Sequence, residues 1–527
     1  MIVSPEKEIT ILDDWYKANS PIEELANIHR THNDKEITFE KHNYLRQIYQ
    51  DKSDEIVIKK SSQSGISEWL IIYAINESIA GRTVLYILPT YDLKNMFVNT
   101  RLNPSIGHTE YYRNLINEAK QSENYYKQSE STSIKNFLDG TIIFVGTHSD
   151  KGLIAHPSDT NIIDEWDKCD QNNLALAPAR QSHSAHPKTI KVSNPTIEGF
   201  GIDDEYNKSD KKKWHIKCSH CRKYIQPDFF EHVVREIDQN TFVVRDPKFD
   251  AVNNPIINPI CDKCEKPFER YAEGEWREEN KSHVSGYSIN KVFSSLDSLF
   301  VIVNRFNEGL ANDTKLQTFY NMDLGQAYTP TGSKIDTNML DECVCDHPMI
   351  ERSENICIAG FDVGSKIHVI VAEIINEKLK IIYIREILTK ADIIDIIIRY
   401  KIRCFVIDAM PETRLSRSLC MSYPGGFMAY FTRQKVPTSL NAKEKIINSQ
   451  RTTALDAIKE MLILKQIMLP KNAKSIKDFY DHMTASTRVF VEDKNEYIWT
   501  EGNKPDHYFT AMAYLILARK ILAMVKR

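Results

Sequence analysis

At 527 residues the chain is too long for one ordinary hydrophobic core and implies two to four domains. Its 42% hydrophobic and 27% charged residues exclude a disordered class, and charges interrupt every apolar run before it reaches bilayer length. A formal net charge of -4 neither supports nucleic-acid binding nor excludes it, because an acidic catalytic centre can sit beside a local basic channel.

Residues 1–17 carry acids early and lack an apolar stretch, which argues against a signal peptide, and the expectation is a soluble, intracellular protein. From 55 to 193, apolar β-branched runs (55–59, 83–88, 141–145, 161–164 and 189–192) alternate with helical stretches. That alternation predicts an α/β unit with a mainly parallel sheet covered by helices. Lys60-Ser61-Ser62-Gln63-Ser64-Gly65-Ile66-Ser67 lies between the first of these strands and a helical run over 68–80. Small residues there present backbone N–H groups and a helix N-terminus to phosphate. The regular P-loop carries Lys directly before Ser/Thr, but Ile66 holds that place, and the nearby lysines are Lys59 and Lys60. Taken alone, a Ser-rich turn is the plainer reading.

The strand over 160–164 ends in Asp164-Glu165. In P-loop ATPases the first such acid supports Mg2+ and the second polarises the attacking water; the plainer reading is a strand end with a solvated acidic loop. Ser193-Asn194-Pro195-Thr196 follows the next strand and offers a polar end suited to sensing a γ-phosphate. The order of loop, acid pair and polar strand end carries more weight than any one piece.

The texture changes between 214 and 276, after Lys211-Lys212-Lys213. Cys218-Ser219-His220-Cys221 and Cys261-Asp262-Lys263-Cys264 are two Cys-x-x-Cys turns among ten cysteines, a pattern that favours a tetrahedral Zn2+ site over disulfides in a chain without a secretion signal. Four free core cysteines are the plainer alternative. His220 lies inside its turn and is expected to point away. Residues 329–350 read as a linker.

A second α/β unit begins near 356. Runs over 356–362, 368–375 and 378–386 read as an antiparallel meander, followed by a helix over 391–400, a strand over 403–408 and a last helix after Asp506. Asp362 and Asp408 stand at strand ends and Asp506 at a helix start. Each has a structural alternative, such as a helix N-cap for Asp506. Three clustered carboxylates repel unless a divalent cation joins them, and two Mg2+ ions so held activate water against a phosphodiester.

Lys60, Gly65-Ile66-Ser67, Pro89-Thr90, Arg101-Leu102-Asn103-Pro104, Asp139-Gly140 with Leu153, and Ser193-Asn194-Pro195-Thr196 together resemble the large subunit of tailed-bacteriophage terminases, lambda-type branch. That family has a deviant Walker A motif with its lysine at the start of the loop. The similarity runs from about 42 to 522 and includes Arg451-Thr452-Thr453-Ala454-Leu455-Asp456 and, with no mechanism assigned, Gly274-Glu275-Trp276, Ser282-His283-Val284-Ser285-Gly286-Tyr287 and Phe319-Tyr320-Asn321 with Leu324-Gly325. It implies a P-loop ATPase domain over 1–213, a zinc-binding module over 214–276, a connecting segment over 277–350 and an RNase H-like nuclease domain over 351–527.

By the same resemblance, Lys60 neutralises phosphate charge, with Lys59 as its rival, and Ser61, Gln63, Ser64, Gly65 and Ile66 complete the ATP loop. Ser67 and Asp164 hold Mg2+, Glu165 is the catalytic base, and Arg101 is a candidate arginine finger whose plainer role is a surface salt bridge. Cys218, Cys221, Cys261 and Cys264 hold Zn2+, and Asp362, Asp408 and Asp506 hold the nuclease cation, Mg2+ or Mn2+. His507 is left open as an assistant or a packing residue. The implied partners are duplex DNA, a small terminase subunit, the portal ring of the procapsid and further copies of the chain, with no membrane; the implied place is the host cytoplasm and not the mature virion. A helicase–nuclease of DNA repair or defence and an inactive prophage DNA-binding scaffold are the alternatives.

Overall fold

The computed structural model describes residues 22–121, 132–138, 140–238, 241–249, 255–330, 332–432, 438–491, 496–501 and 505–525. The expectations on residues 1–17, Asp139 and Thr331 lie outside the described residues. The chain divides into two compact units, Met1–Thr329 and Pro330–Arg527.

In the first unit ten strands form one sheet: β1 (Glu55–Lys60), β2 (Thr83–Leu88), β3 (Ile134–Phe137), β4 (Gly140–Gly146), β5 (Thr160–Asp164), β6 (Lys188–Ser193), β7 (Lys212–Lys217), β8 (Tyr224–Ile225), β9 (Gly274–Arg277) and β10 (Ser285–Ile289). Their order is β9-β7-β10-β1-β6-β5-β2-β4-β3, with β8 on β7. The strands from β10 to β4 run parallel. β1 and β2 are buried over five of their six residues, the signature of parallel strands covered on both faces. Helix α1 (Ile66–Ile79) follows β1 and buries Trp69 to Ile75 without a break, so it is enclosed on all sides and shows no polar stripe. Each such buried aliphatic contributes about 1.5–3 kcal/mol.

The Cys-pair segment joins this sheet: β7 and β9 pair through Trp214↔Trp276, and Cys218 and Cys261 are buried in the same core cluster as β1 and α1. The segment over 277–350 contributes to the first sheet and to a core of the second unit. It inserts β10 between β1 and β7, and Ile335, Leu340 and Cys343 are buried in a core of the second unit. Ser-Gly-Tyr-Ser-Ile has weak strand propensity of its own; its burial between neighbours makes it a strand.

In the second unit the strands are β11 (Cys357–Val363), β12 (Ile367–Ile375), β13 (Lys378–Ile387), β14 (Ile402–Asp408), β15 (Gly426–Thr432), β16 (Ser439–Asn441), β17 (Ile446–Gln450) and β18 (Ile467–Met468). Their order is β16-β17-β15-β14-β11-β12-β13-β18. β11, β12 and β13 form the expected antiparallel meander, and β14 lies parallel to β11 with Phe361 opposite Ile407. A hairpin of β19 (Ser486–Val491) and β20 (Glu496–Glu501) precedes the last helix, α2 (His507–Val525). Gly360 fixes how α2 meets the sheet: a Cβ there would lie 2.1 Å from Ala511 O and 2.4 Å from Leu515 N. Only the missing side chain lets the helix backbone pack directly on β11.

Candidate functional site

The end of β1 separates two adjacent lysines. Successive strand residues point to opposite faces. Lys59 Nζ lies 2.8 Å from Asp203 Oδ1 and 4.4 Å from the centroid of the Tyr206 ring. Lys60 Nζ donates to Asn194 Oδ1 at 3.3 Å and lies 3.9 Å from Glu165 Oε1. Asn194 returns a second bond, Nδ2 to Lys60 O, at 2.9 Å. One face therefore gathers Lys60, Asn194 and the acid pair, while Lys59 is spent in a buried ion pair.

The loop itself is wound tightly by left-handed backbone at Gln63 (φ 57°) and Gly65 (φ 75°). The Tyr44 hydroxyl donates to Ser64 O at 2.8 Å. Gln63 and Gly65 are exposed and Ser67 is half-buried in the first turn of α1. Ile66 is 1% exposed and belongs to the core, so its side chain does not line the loop. Ser61 is also turned inward: its N–H donates to Ile289 O at 2.8 Å, and its hydroxyl lies 3.3 Å from the Ser294 hydroxyl. The position that carries lysine in a regular P-loop is a packing position here, and the lysine near the acid pair is Lys60, at the end of the strand.

Asp164 is buried and accepts from the Tyr86 hydroxyl at 3.1 Å and from Glu165 N–H at 3.1 Å. Burial pushes its carboxyl up to about 6; the neighbouring Glu165 charge adds to the rise and Lys60 opposes it. Glu165 adopts left-handed backbone (φ 59°) and lies between Lys60 and Lys168, whose Nζ is 3.5 Å from Oε2. Asp167, one turn on, fixes the loop after β6: it accepts Ile202 N–H at 2.7 Å and the Thr196 hydroxyl at 2.8 Å. Arg101 is exposed on a π-helical turn, Val98–Leu102, and its charge is felt by the Tyr86 phenol.

A segment the sequence marked without a mechanism closes this arrangement. Ser62 N–H and its hydroxyl donate to Met322 O at 2.8 and 3.1 Å. Asn321 Nδ2 donates to Thr196 O at 2.8 Å. Gly325, at φ +59°, lies so close that a Cβ would meet Ile289 O at 2.3 Å and Ser61 N at 2.8 Å. Residues 321–325 thus tie the loop after β1 to the loop after β6. Tyr86, Asp203, Asp167 and Gly325 were not singled out as site residues, because each matters through a partner distant in sequence.

The two cysteine turns repeat one hydrogen-bond pattern. In the first, Arg222 N–H donates to Cys218 O and Cys218 N–H to Lys223 O; in the second, Glu265 N–H donates to Cys261 O and Cys261 N–H to Lys266 O. Arg222 and Glu265 are both left-handed, at φ 61° and 56°. The four Sγ atoms lie within 4.8 Å of one another, with Cys218–Cys264 and Cys221–Cys261 at 3.9 Å. Two thiolates about 2.3 Å from a shared tetrahedral Zn2+ sit about 3.8 Å apart, so the geometry fits the ion. Burial pushes the Cys218 thiol up, but N–H groups of Cys221 and His220 outweigh it and bring the thiol down to about 7. His220 is exposed and outside the set.

In the second unit Asp362 is buried, and Asp506 lies near enough to help raise its carboxyl, after burial, which is the largest cause. Asp408 is pushed up to about 6 by burial, with the Asp362 charge adding to it. Asp362 thus feels the charge of Asp506, and Asp408 that of Asp362. Their surroundings differ. Asp506 Oδ2 accepts from Arg451 at 2.6 Å and from the Ser486 hydroxyl at 2.7 Å, and Oδ1 accepts from the Thr510 hydroxyl at 3.3 Å. Asp362 Oδ2 instead lies 2.9 Å from His507 Nδ1. In the described part of this unit, the group whose ligand atoms all fall within 4.8 Å is Asp362, His368 and His507, not the three acids. His368 is the cross-strand partner of Asp362 within one hairpin, and the sequence reading did not single it out as a site residue. Burial, then His507 and His482, bring the His368 imidazole down to about 4.

The family model for the ATPase domain of the phage terminase large subunit gpA matches residues 39–276, and that for the gpA endonuclease domain matches 284–370, which includes Asp362 but not Asp408 or Asp506. No curated protein matches. The large terminase of bacteriophage HK97 shares the fold: TM-score 0.54 at 8% identity, over 95% of this chain and 99% of that one. The large terminase of the thermophilic bacteriophage D6E is 11% identical over 93% of this chain and 100% of that one, with a TM-score of 0.32. No described helix is long and apolar enough to cross a membrane.

Proposed function

The chain belongs to the phage terminase large-subunit family, joining a DNA-packaging ATPase to an endonuclease, and we propose the residues that perform the two reactions. In the motor, Lys60 contacts the transferring phosphates while backbone N–H groups of the loop over Gln63, Ser64, Gly65 and Ile66 and the start of α1 receive the remaining phosphate charge. Ser67 and Asp164 hold the divalent cation that accompanies ATP. Glu165 orients and deprotonates the attacking water, and Asn194, bonded to Lys60, reports the state of the γ-phosphate to the rest of the loop after β6. The observation that carries the assignment is the parting of the lysines: Lys60 is 3.9 Å from Glu165, whereas Lys59 is committed to Asp203.

In the nuclease, Asp362, Asp408 and Asp506 would hold the divalent cation, which would supply an activated water and stabilise the departing 3′-oxygen. Asp362 is the contact residue for the cation, and Arg451 and Ser486 hold Asp506 in place. Zn2+ on Cys218, Cys221, Cys261 and Cys264 is structural and keeps the β7–β9 edge of the motor sheet folded. The partners of this reading are duplex DNA, a small terminase subunit, the portal ring of a procapsid and further copies of the chain, meeting in the host cytoplasm. Arg101, exposed near Tyr86, is available to a neighbouring copy.

The deciding experiment is ATP-dependent packaging of duplex DNA into purified procapsids, with wild type and Glu165→Gln. Wild type packages and the variant does not, while nucleotide binding persists. Strand displacement without packaging would favour the helicase–nuclease, and absence of DNA-stimulated ATPase would favour the scaffold.

A further inference from the structure

We infer that Asp362 shares its cation with the imidazoles of His368 and His507, so that the nuclease selects a first-row transition-metal dication over Mg2+. This deepens the nuclease reading above and rests on it; that reading names three carboxylates and leaves the cation open.

Four observations converge. Asp362 and His368 are directly opposed on the antiparallel strands β11 and β12, so their side chains share a face. Ligand atoms of Asp362, His368 and His507 all lie within 4.8 Å of one another, and the two imidazole rings are stacked, 4.6 Å between centroids at 12°. His368 is 3% exposed, and its Nδ1 is buried without a hydrogen-bond partner. A buried polar atom with no partner is costly unless something satisfies it.

The fourth observation concerns Asp506. Arg451, Ser486 and Thr510 all donate to it, which leaves it poorly placed to give lone pairs to an ion. Its neighbour His507 is the side chain that reaches Asp362. The donor set then adds two imidazoles to the Asp362 carboxylate, with Asp408, water and phosphate oxygen left for the remaining positions. Mg2+ is a hard ion that favours oxygen and dehydrates reluctantly, whereas imidazole nitrogen favours first-row transition ions.

The test uses full-length, zinc-loaded protein without nucleotide, titrated with Mn2+ and with Mg2+ as competitor, and read by pulsed EPR alongside cutting of duplex DNA. The expected result is 14N coupling on bound Mn2+ in wild type, and Mn2+ held at least about tenfold more tightly than Mg2+. His368→Gln weakens the coupling and narrows that preference about tenfold. Because His368 is buried, His507→Gln provides a second variant and the wild-type 14N signal decides by itself. Mn2+ bound without 14N coupling, and lost in Asp362→Asn together with cutting, overturns the inference and leaves the carboxylate reading standing. No Mn2+ bound by wild type, with Asp362→Asn cutting DNA normally, overturns both.

Discussion

Lys59 and Lys60 are neighbours on one strand, yet Lys59 Nζ lies 2.8 Å from Asp203 and Lys60 Nζ 3.3 Å from Asn194, on opposite faces of the motor sheet. The pleat sends the two side chains to opposite faces, and the neighbours on each face decide what each lysine meets.

That split predicts two different failures. Lys59→Ala leaves the Asp203 carboxylate buried and unpaired and should destabilise the first unit by about 3–5 kcal/mol, read as a lower denaturation midpoint. ATP turnover per folded molecule should persist. Lys60→Ala should lower ATP turnover by at least about 100-fold, in line with removal of one preorganised charge from a transition state. Full turnover in Lys60→Ala would transfer the role elsewhere.

Gly325 offers a test of the tie between the two loops. Alanine there must adopt φ +59°, at about 1–2 kcal/mol, and push against Ile289 O and the backbone of Lys60 and Ser61. Gly325→Ala should weaken nucleotide binding several-fold, measured by titration with a fluorescent ATP analogue. Gly107→Ala, in the helix Asn103–His108 with open space around it, should leave binding unchanged and stabilise by about 0.5–1 kcal/mol.

Metal analysis of protein purified without chelator should give one zinc per chain. Cys261→Ser should lose it and lower the thermal midpoint, because Cys218 and Cys261 are buried in the motor core. An unchanged midpoint in zinc-free protein would remove the structural role.

The Asp164 carboxyl carries a cost that pH reveals. Burial and Glu165 push it up to about 6, against 3.8 for the ordinary group. The folded state therefore binds this proton more tightly than the unfolded state. Nucleotide-free protein gains from Asp164 below about pH 4, loses that gain as pH rises to about 6, and stays at the lower level above. Asp164→Asn should flatten this window and raise stability at pH 7–8 by on the order of 2 kcal/mol, while abolishing ATP hydrolysis. Urea unfolding at pH 4, 5, 6 and 8 measures it; a parallel pH dependence in both proteins would remove the explanation.

Much of the molecule is legible residue by residue. Apolar strands that end in Asp164-Glu165, Asp362 and Asp408, small residues after β1, and two Cys-x-x-Cys turns are local signals, and each is a strand end, a loop or a turn in the structure. These fix the α/β class and the candidate chemistry, because strand propensity, turn geometry and thiolate spacing act over a few neighbouring residues. Tertiary structure alone decides which lysine enters the pocket, that 285–289 is a central strand, that Arg451 and Ser486 occupy Asp506, and that His368 stands beside Asp362. Those outcomes depend on sheet register and on the approach that Gly360 permits to α2. The approach of α2 joins residues far apart in sequence, Gly360 and Ala511, whereas the register that pairs Asp362 with His368 is set within one hairpin by which face of the sheet is buried; propensity alone carries neither energy.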